Sequence, residues 1–336
     1  MKIFKIITLF VIVALVVICL SSAKKSPTTI FIIGDSTAAN KSLKDDNLER
    51  GWGMVLQCYF DDDIIVDNHA VNGRSSKSFI DEGRWDVVVE KIQPGDYVFI
   101  QFGHNDEKPK ADRHTDPGST FDANLKKFVD ETREKGGIPV LFNAVVRRNF
   151  LKEAPQNDDD EALRNTTGPT TVEADNEGEV LVDTHGDYRV APKNVAKAEG
   201  VTFIDANKIT HDLEQGLGRE GSKKLHMWFM PGEEPSVPKG RQDNTHYNVY
   251  GAHVVAKLLT EAIAKQIPAL EKHVVNYDIA VATDGKGDYF NLQDAVDNTP
   301  DNEKVTIQLF AGEWEKPVIP KTKKIKFKLR EGASWK

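Results

Sequence analysis

Short apolar runs alternate with amphipathic stretches along most of this chain, and few architectures accept that order. Thr29–Ile33 is an apolar run closed by Gly34, and Ile64–Val66, Tyr97–Phe102, Ile138–Val146 and Val201–Ile204 are further candidate strands. Between them, Asp86–Ile92 reads as a helix broken by Pro94-Gly95. Phe121–Lys135 carries apolar residues at 121, 125, 128 and 129, one face of a helix, and Gly136-Gly137 stops it. Val249–Ile267, apolar at 254, 255, 258, 259 and 263, is a strong closing helix. Runs of this kind, separated by helices, predict an α/β fold: a parallel sheet covered on both faces, as a three-layer αβα sandwich.

Composition narrows the class. The 336 residues are 39% hydrophobic, enough for one large domain or two. The formal charge is -8 and no Lys/Arg-rich face stands out, which argues against a nucleic-acid partner. Two cysteines, Cys19 and Cys58, leave no disulfide scaffold and no structural zinc cluster. At the N-terminus, Lys2 and Lys5 precede an apolar run from Ile6 to Leu20 and then Ser21-Ser22-Ala23. That is the pattern of an export signal over residues 1–23, and the run is short for a membrane span of ~20 residues. Ile18 ahead of Cys19 argues against lipid anchoring at that cysteine. The expectation is a secreted or periplasmic protein with no stable membrane span once the signal is removed. Glu153 to Glu179 is polar and acidic, and reads as a surface excursion.

Four short segments carry the chemistry. Gly34-Asp35-Ser36-Thr37 follows the first strand, and Ser36 there is expected at the entry to a helix, at the carboxyl edge of the sheet. Its amide and the positive helix end would then face a developing oxyanion. Asn72-Gly73-Arg74-Ser75-Ser76 follows the second strand, and Gly73 can bring its amide close to a ligand. Gln101-Phe102-Gly103-His104-Asn105-Asp106 follows the third; the Asn105 carboxamide can donate without carrying charge, and His104 reads as a positioned neighbour rather than a base. Asp243-Asn244-Thr245-His246 precedes the closing helix, and a carboxylate three residues ahead of an imidazole on a loop can orient it as a base. Together they supply a nucleophile, a base, its orienter and oxyanion donors, the inventory for acyl transfer.

These blocks resemble the SGNH (GDSL-like) hydrolase superfamily and, more narrowly, its rhamnogalacturonan acetylesterases; Leu181-Val182-Asp183-Thr184-His185-Gly186-Asp187-Tyr188 is similar to a further block of bacterial members. The resemblance covers roughly Thr28 to Ile267, within an esterase domain placed at 28–270. It implies a flavodoxin-like parallel sheet, with Ser36 as nucleophile, His246 as base, Asp243 as its partner, and an oxyanion hole from Ser36, Gly73 and Asn105. It implies no cofactor and no metal. The implied partner is acetylated pectic polysaccharide, whose galacturonate calls for cations near the site. Arg74 and Arg147, with His104, are the substrate-binding candidates; Arg84 and Arg148 are weaker ones, and Trp52, Trp228 and Phe229 could stack on sugars. Two alternatives stand beside this reading: an esterase of the same superfamily acting on acetylated xylan or a lipid ester, and a non-catalytic carbohydrate-binding protein.

After Asn276 the texture changes to short strand-like runs, Asp278–Ala282, Val305–Phe310 and Lys324–Leu329. Val281-Ala282-Thr283-Asp284-Gly285-Lys286-Gly287-Asp288-Tyr289-Phe290 and Ala311-Gly312-Glu313-Trp314-Glu315-Lys316 resemble the start of a pectin methylesterase domain, a right-handed parallel β-helix. Residues 276–336 are therefore expected to be a truncated pectinesterase-like segment without methylesterase activity.

Overall fold

The computed structural model describes residues 26–151 and 179–336; residues 1–23, expected to be an export signal, and all but the last residue of Glu153–Glu179 lie outside them. Strands β1 (Thr28–Gly34), β2 (Ile64–Asn68), β3 (Tyr97–Gln101) and β4 (Ile138–Phe142) are followed by a two-residue antiparallel pair, β5 (Phe150–Leu151) and β6 (Val180–Leu181), and then by β7 (Thr202–Ile204). The central sheet has the order β2-β1-β3-β4-β7, and every pairing in it is parallel. The chain leaves β1 for β2 on one side and later returns to β3 on the other. Connections that diverge in this way open a crevice at the carboxyl ends of β1 and β3.

Alternation along β1 divides its side chains between two cores. Ile30 and Ile32 join a cluster with Trp52, Val55, Val255 and Leu259, whereas Phe31 and Ile33 join Phe79, Trp85, Leu125 and Phe128. Helices therefore cover both faces. Those that matter here are α1 (Trp52–Val55), α2 (Ser76–Asp81), α3 (Arg84–Val89), α4 (Thr120–Glu134), α5 (Asp187–Glu199), α6 (Ala206–Ser222) and α7 (Val249–Gln266). The sandwich matches the fold expected from the sequence. Differences lie in the detail: pairing of β4 stops at Phe142 instead of Val146, helices α5 and α6 were not anticipated, and a hairpin of β8 (His226–Phe229) and β9 (Arg241–Tyr247) precedes α7. Among the described residues no helix is long and apolar enough to cross a membrane.

The C-terminal residues coil. After β10 (Ile279–Val281) come β11 (Lys304–Leu309), β12 (Gly312–Trp314), β13 (Lys324–Leu329) and β14 (Ala333–Trp335), with β10, β11 and β13 in one parallel sheet and β12 and β14 in another. Val281, Leu292, Val296, Ile307, Leu309 and Trp314 form a small core of their own. The seam with the main body is nevertheless tight. Ala280 belongs to the main core, Gln308 Nε2 donates to Cys58 O at 2.8 Å, and Arg50 Nε donates to Gly285 O at 3.0 Å. Buried Arg330 donates to Phe60 O at 2.6 Å and to Asp62 Oδ1 at 2.9 Å.

Candidate active site

Gly34 ends β1 where no side chain fits: a Cβ there would lie 2.6 Å from Gln101 O on the neighbouring β3. The next residue, Asp35, is fully buried and accepts from the Thr37 amide at 2.9 Å and the Thr37 hydroxyl at 2.8 Å. This Asx turn bends the chain so that the Ala38 and Ala39 amides point back to Asp35 O, at 3.3 and 3.1 Å. The turn goes no further. The expected helix at Ser36 is absent, and among the described residues the first α-helix begins at Trp52. Any oxyanion donor at Ser36 is thus an amide of a single turn, without a helix dipole behind it.

The second and third segments are fastened to each other and to this turn. Val71 N donates to Gly34 O at 3.0 Å, which runs the chain beside Ser36 before Gly73 turns it with φ +74°. Asp106, fully buried, receives the Ser76 amide at 3.0 Å, the Ser76 hydroxyl at 2.5 Å, the Thr115 hydroxyl at 3.0 Å and the Gly103 amide at 3.2 Å. Burial pushes its carboxyl up to about 7, against the pull of the Ser76 and Thr115 hydrogen bonds. Asn105 Nδ2 donates to Arg74 O at 3.2 Å, a further tie between the two loops.

The fourth segment lies within the span of β9 rather than on a free loop. Trp228 pairs with Gln242 and His226 with Tyr247, so one residue on β8 faces four on β9. Asp243 to His246 is that excess, thrown out of the ladder as a bulge. Asp243 Oδ1 holds the bulge by accepting the amides of Thr245 at 2.8 Å and His246 at 3.0 Å. Its Oδ2 accepts His246 Nδ1 at 2.8 Å, and His246 Nε2 stands 2.9 Å from Ser36 Oγ. These partners assign the tautomer: Nδ1 carries the proton, and Nε2 accepts from the hydroxyl. Burial opposes ionisation of Asp243, but the hydrogen bond and charge of His246 and the charge of Arg241 hold it well below the usual carboxylate range. An alcohol, an imidazole and a buried carboxylate in this sequence can pass a proton from Oγ to Nε2.

The substrate-binding candidates are placed differently from expectation. Arg147 is 1% exposed, closed on the Glu107 carboxylate, with Nη1 donating to Thr184 Oγ1 at 3.0 Å. Buried and paired in this way, it presents no exposed cation to a ligand. His104 is buried, edge-on to the His185 ring at 4.5 Å between centroids, and neither of its ring nitrogens has a hydrogen-bond partner among the described residues. Burial, then the nearby cationic charge, holds it well below the ordinary imidazole range, hence neutral. Arg74 remains a third exposed, paired with Glu82 at 3.0 Å. Arg148 is buried against Ser222 and Asn244, and Trp52 is buried with its indole N–H on Gln101. Glu107, Thr184 and His185, with Arg147, form a buried polar network that residue types alone did not reveal; His185 Nδ1 lies 2.9 Å from Glu107 Oε2. The sequence signal for Thr184 and His185 is the Leu181–Tyr188 block. Among the described residues, ligand-type side chains also gather at Asp61, Asp63 and His273, although His273 Nδ1 already lies 3.1 Å from Asp61.

Comparison with known proteins gives the chain a family. Residues 32–254 match the GDSL-like lipase/acylhydrolase family. The chain is 38% identical over 252 residues to the rhamnogalacturonan acetylesterase RhgT of Bacillus subtilis, covering 75% of this chain and 96% of that one. It is 26% identical over 262 residues to a rhamnogalacturonan acetylesterase of Emericella nidulans, covering 77% and 92%. The crystal structure of YxiM from Bacillus subtilis shares the fold, with a TM-score of 0.55 and 24% identity over 73% of this chain and 58% of that chain. The C-terminal coils lie beyond the family match, which ends at residue 254. The chain belongs to the GDSL-like lipase/acylhydrolase family, and is a carboxylic ester hydrolase.

Proposed function

We propose that this protein removes acetyl groups from pectic polysaccharide of the rhamnogalacturonan type, by a serine acyl-enzyme mechanism. The observation that carries the reading is the unbroken line Ser36 Oγ, His246 Nε2, His246 Nδ1, Asp243 Oδ2, with contacts of 2.9 and 2.8 Å. The relatives named rhamnogalacturonan acetylesterases support the substrate class. In the first step Ser36 Oγ attacks the acetyl carbonyl carbon while Nε2 takes the hydroxyl proton. The negative oxygen of the tetrahedral intermediate is received by the amides of Ser36 and Gly73 and by an N–H of Asn105. Collapse breaks the carbon–oxygen bond to the sugar, and the imidazolium returns its proton to the departing alcohol. Water, deprotonated by Nε2, then attacks the acetyl-serine; acetate leaves and Ser36 Oγ recovers its proton.

The setting belongs to the same proposal. Residues 1–23 are read as an export signal, which would place the enzyme where a polymer too large to enter a cell can be met. Residues 276–336 are read as opening coils of a pectinesterase-like β-helix, a reading supported by the parallel stacking of β13 on β11 and β14 on β12. The test is acetate release from acetylated rhamnogalacturonan, acetylated xylan and a long-chain ester. Rhamnogalacturonan is expected to be preferred, and Ser36→Ala to lower its turnover on the order of 10⁴–10⁶-fold. Near-normal release by purified Ser36→Ala protein would end the triad assignment, and preference for xylan or lipid ester would end the pectic one.

A further inference from the structure

Resting on that reading, we infer that Arg241, held from behind by Glu49 and Lys41, is a positioning residue that sets the working pH of the His246 base. Arg241 pairs with Phe229 in the regular stretch of β9 before the bulge, two residues ahead of Asp243. Its Nη2 donates at 2.6 Å to Asp243 Oδ2, the same oxygen that takes the His246 proton. Its Nη1 lies 2.7 Å from Glu49 Oε2; the other Glu49 oxygen lies 2.7 Å from Lys41 Nζ, and Lys41 Nζ donates at 2.6 Å to Asn72 Oδ1. The Lys41 side chain is 3% exposed and that of Glu49 13%. Alternating charges thus run Asp243, Arg241, Glu49, Lys41, and end on the residue before Gly73. One chain of contacts ties the acid that orients the base to the loop that would receive the oxyanion.

Two effects follow from sharing one oxygen. The guanidinium fixes the carboxylate, and with it the aim of the imidazole ring. It also draws on the charge that Asp243 offers His246, which weakens the support for the imidazolium relative to the neutral, proton-accepting ring. Glu49 opposes this by neutralising Arg241. Asp35 after β1 and His104 after β3 also interact with His246 through charge.

The proposal predicts opposite shifts. In kcat/KM against pH, Arg241→Gln moves the acid limb up by about one unit, and Glu49→Gln moves it down. Arg241→Lys restores the limb of the unaltered enzyme, because the charge remains. In Arg241→Gln, kcat falls roughly tenfold while KM holds, since both terminal nitrogens of Arg241 are engaged by Glu49 and Asp243. Acid limbs that coincide with the unaltered enzyme in Glu49→Gln and Arg241→Gln overturn the inference, as do shifts of the same sign. Should Arg241→Gln not fold, the Glu49→Gln and Arg241→Lys profiles decide. Ser36→Ala in the same assay separates the two levels: near-normal turnover there sinks the triad itself, whereas the expected large loss in Ser36→Ala with unmoved limbs sinks only the role of Arg241.

Discussion

Asp106 shows how much a single side chain can hold. It touches no reacting atom, yet its carboxylate accepts from both loops that flank the crevice, through Gly103 N and Ser76. With its carboxyl raised to about 7 by burial, the folded protein keeps a proton that an unfolded chain would release near 4. The sign follows: its contribution is fully present below about pH 4 and is lost as pH rises through about 7. Asp106→Asn removes that dependence. Melting temperatures of the two proteins are expected to differ increasingly in favour of wild type as pH falls from about 8 to about 5, and parallel curves would count against the assignment. At the same scale, Asn105→Ala should lower kcat on the order of 10²–10³-fold with little change in KM, read in steady-state acetate release. Ser36 and Asn105 were legible because each lies in a short polar block directly after an apolar run, Asp243 and His246 because their block stands just ahead of the strongly apolar closing helix. Asp106 and Arg241 were not singled out: one stood in the quoted block as a mere neighbour of Asn105, and the other two residues ahead of a motif read as Asp-to-His.

At the scale of elements, the missed pieces have physical causes. Helix α6 buries Asn207, Thr210, Glu214 and Ser222, so much of its inner face is polar and leaves a faint hydrophobic period. Helix α5 has an inward face of Tyr188, Ala191, Pro192, Val195 and Ala196, spaced as a helix requires but made mostly of small residues around a proline. The β9 bulge was expected as a loop because four consecutive polar residues break strand alternation. Immediately after the bulge, Gly251 in the first turn of α7 meets the chain before β8: a Cβ there would fall 1.9 Å from Leu225 O. Backbone on both sides cannot yield cheaply. Gly251→Ala is expected to cost about 3 kcal/mol in urea unfolding and to lower turnover through the displaced His246. Wild-type stability in that variant would show that the α7 approach is looser than described.

For the molecule as a whole, the C-terminal coils and the α/β body share buried contacts. Texture in the sequence marked the boundary near Asn276 but carried no sign of the seam, since the partners of Arg330, Phe60 O and Asp62, lie 270 and 268 residues away. Arg330→Ala strips donors from Phe60 O and from the buried Gln308 side chain, at about 2–3 kcal/mol. Calorimetry is expected to give one cooperative transition for the unaltered chain and an earlier, separate melting of the coils in Arg330→Ala. Two resolved transitions in the unaltered chain would mean that the seam does not couple the parts.

The hydroxyl and the imidazole that meet at 2.9 Å are 210 positions apart along the chain. No fragment with only its local helices in place can bring them into register; β1, β3 and the β8–β9 hairpin must all have docked first. Ester turnover during refolding therefore reports the last structural event, and its recovery should lag the return of helical circular dichroism.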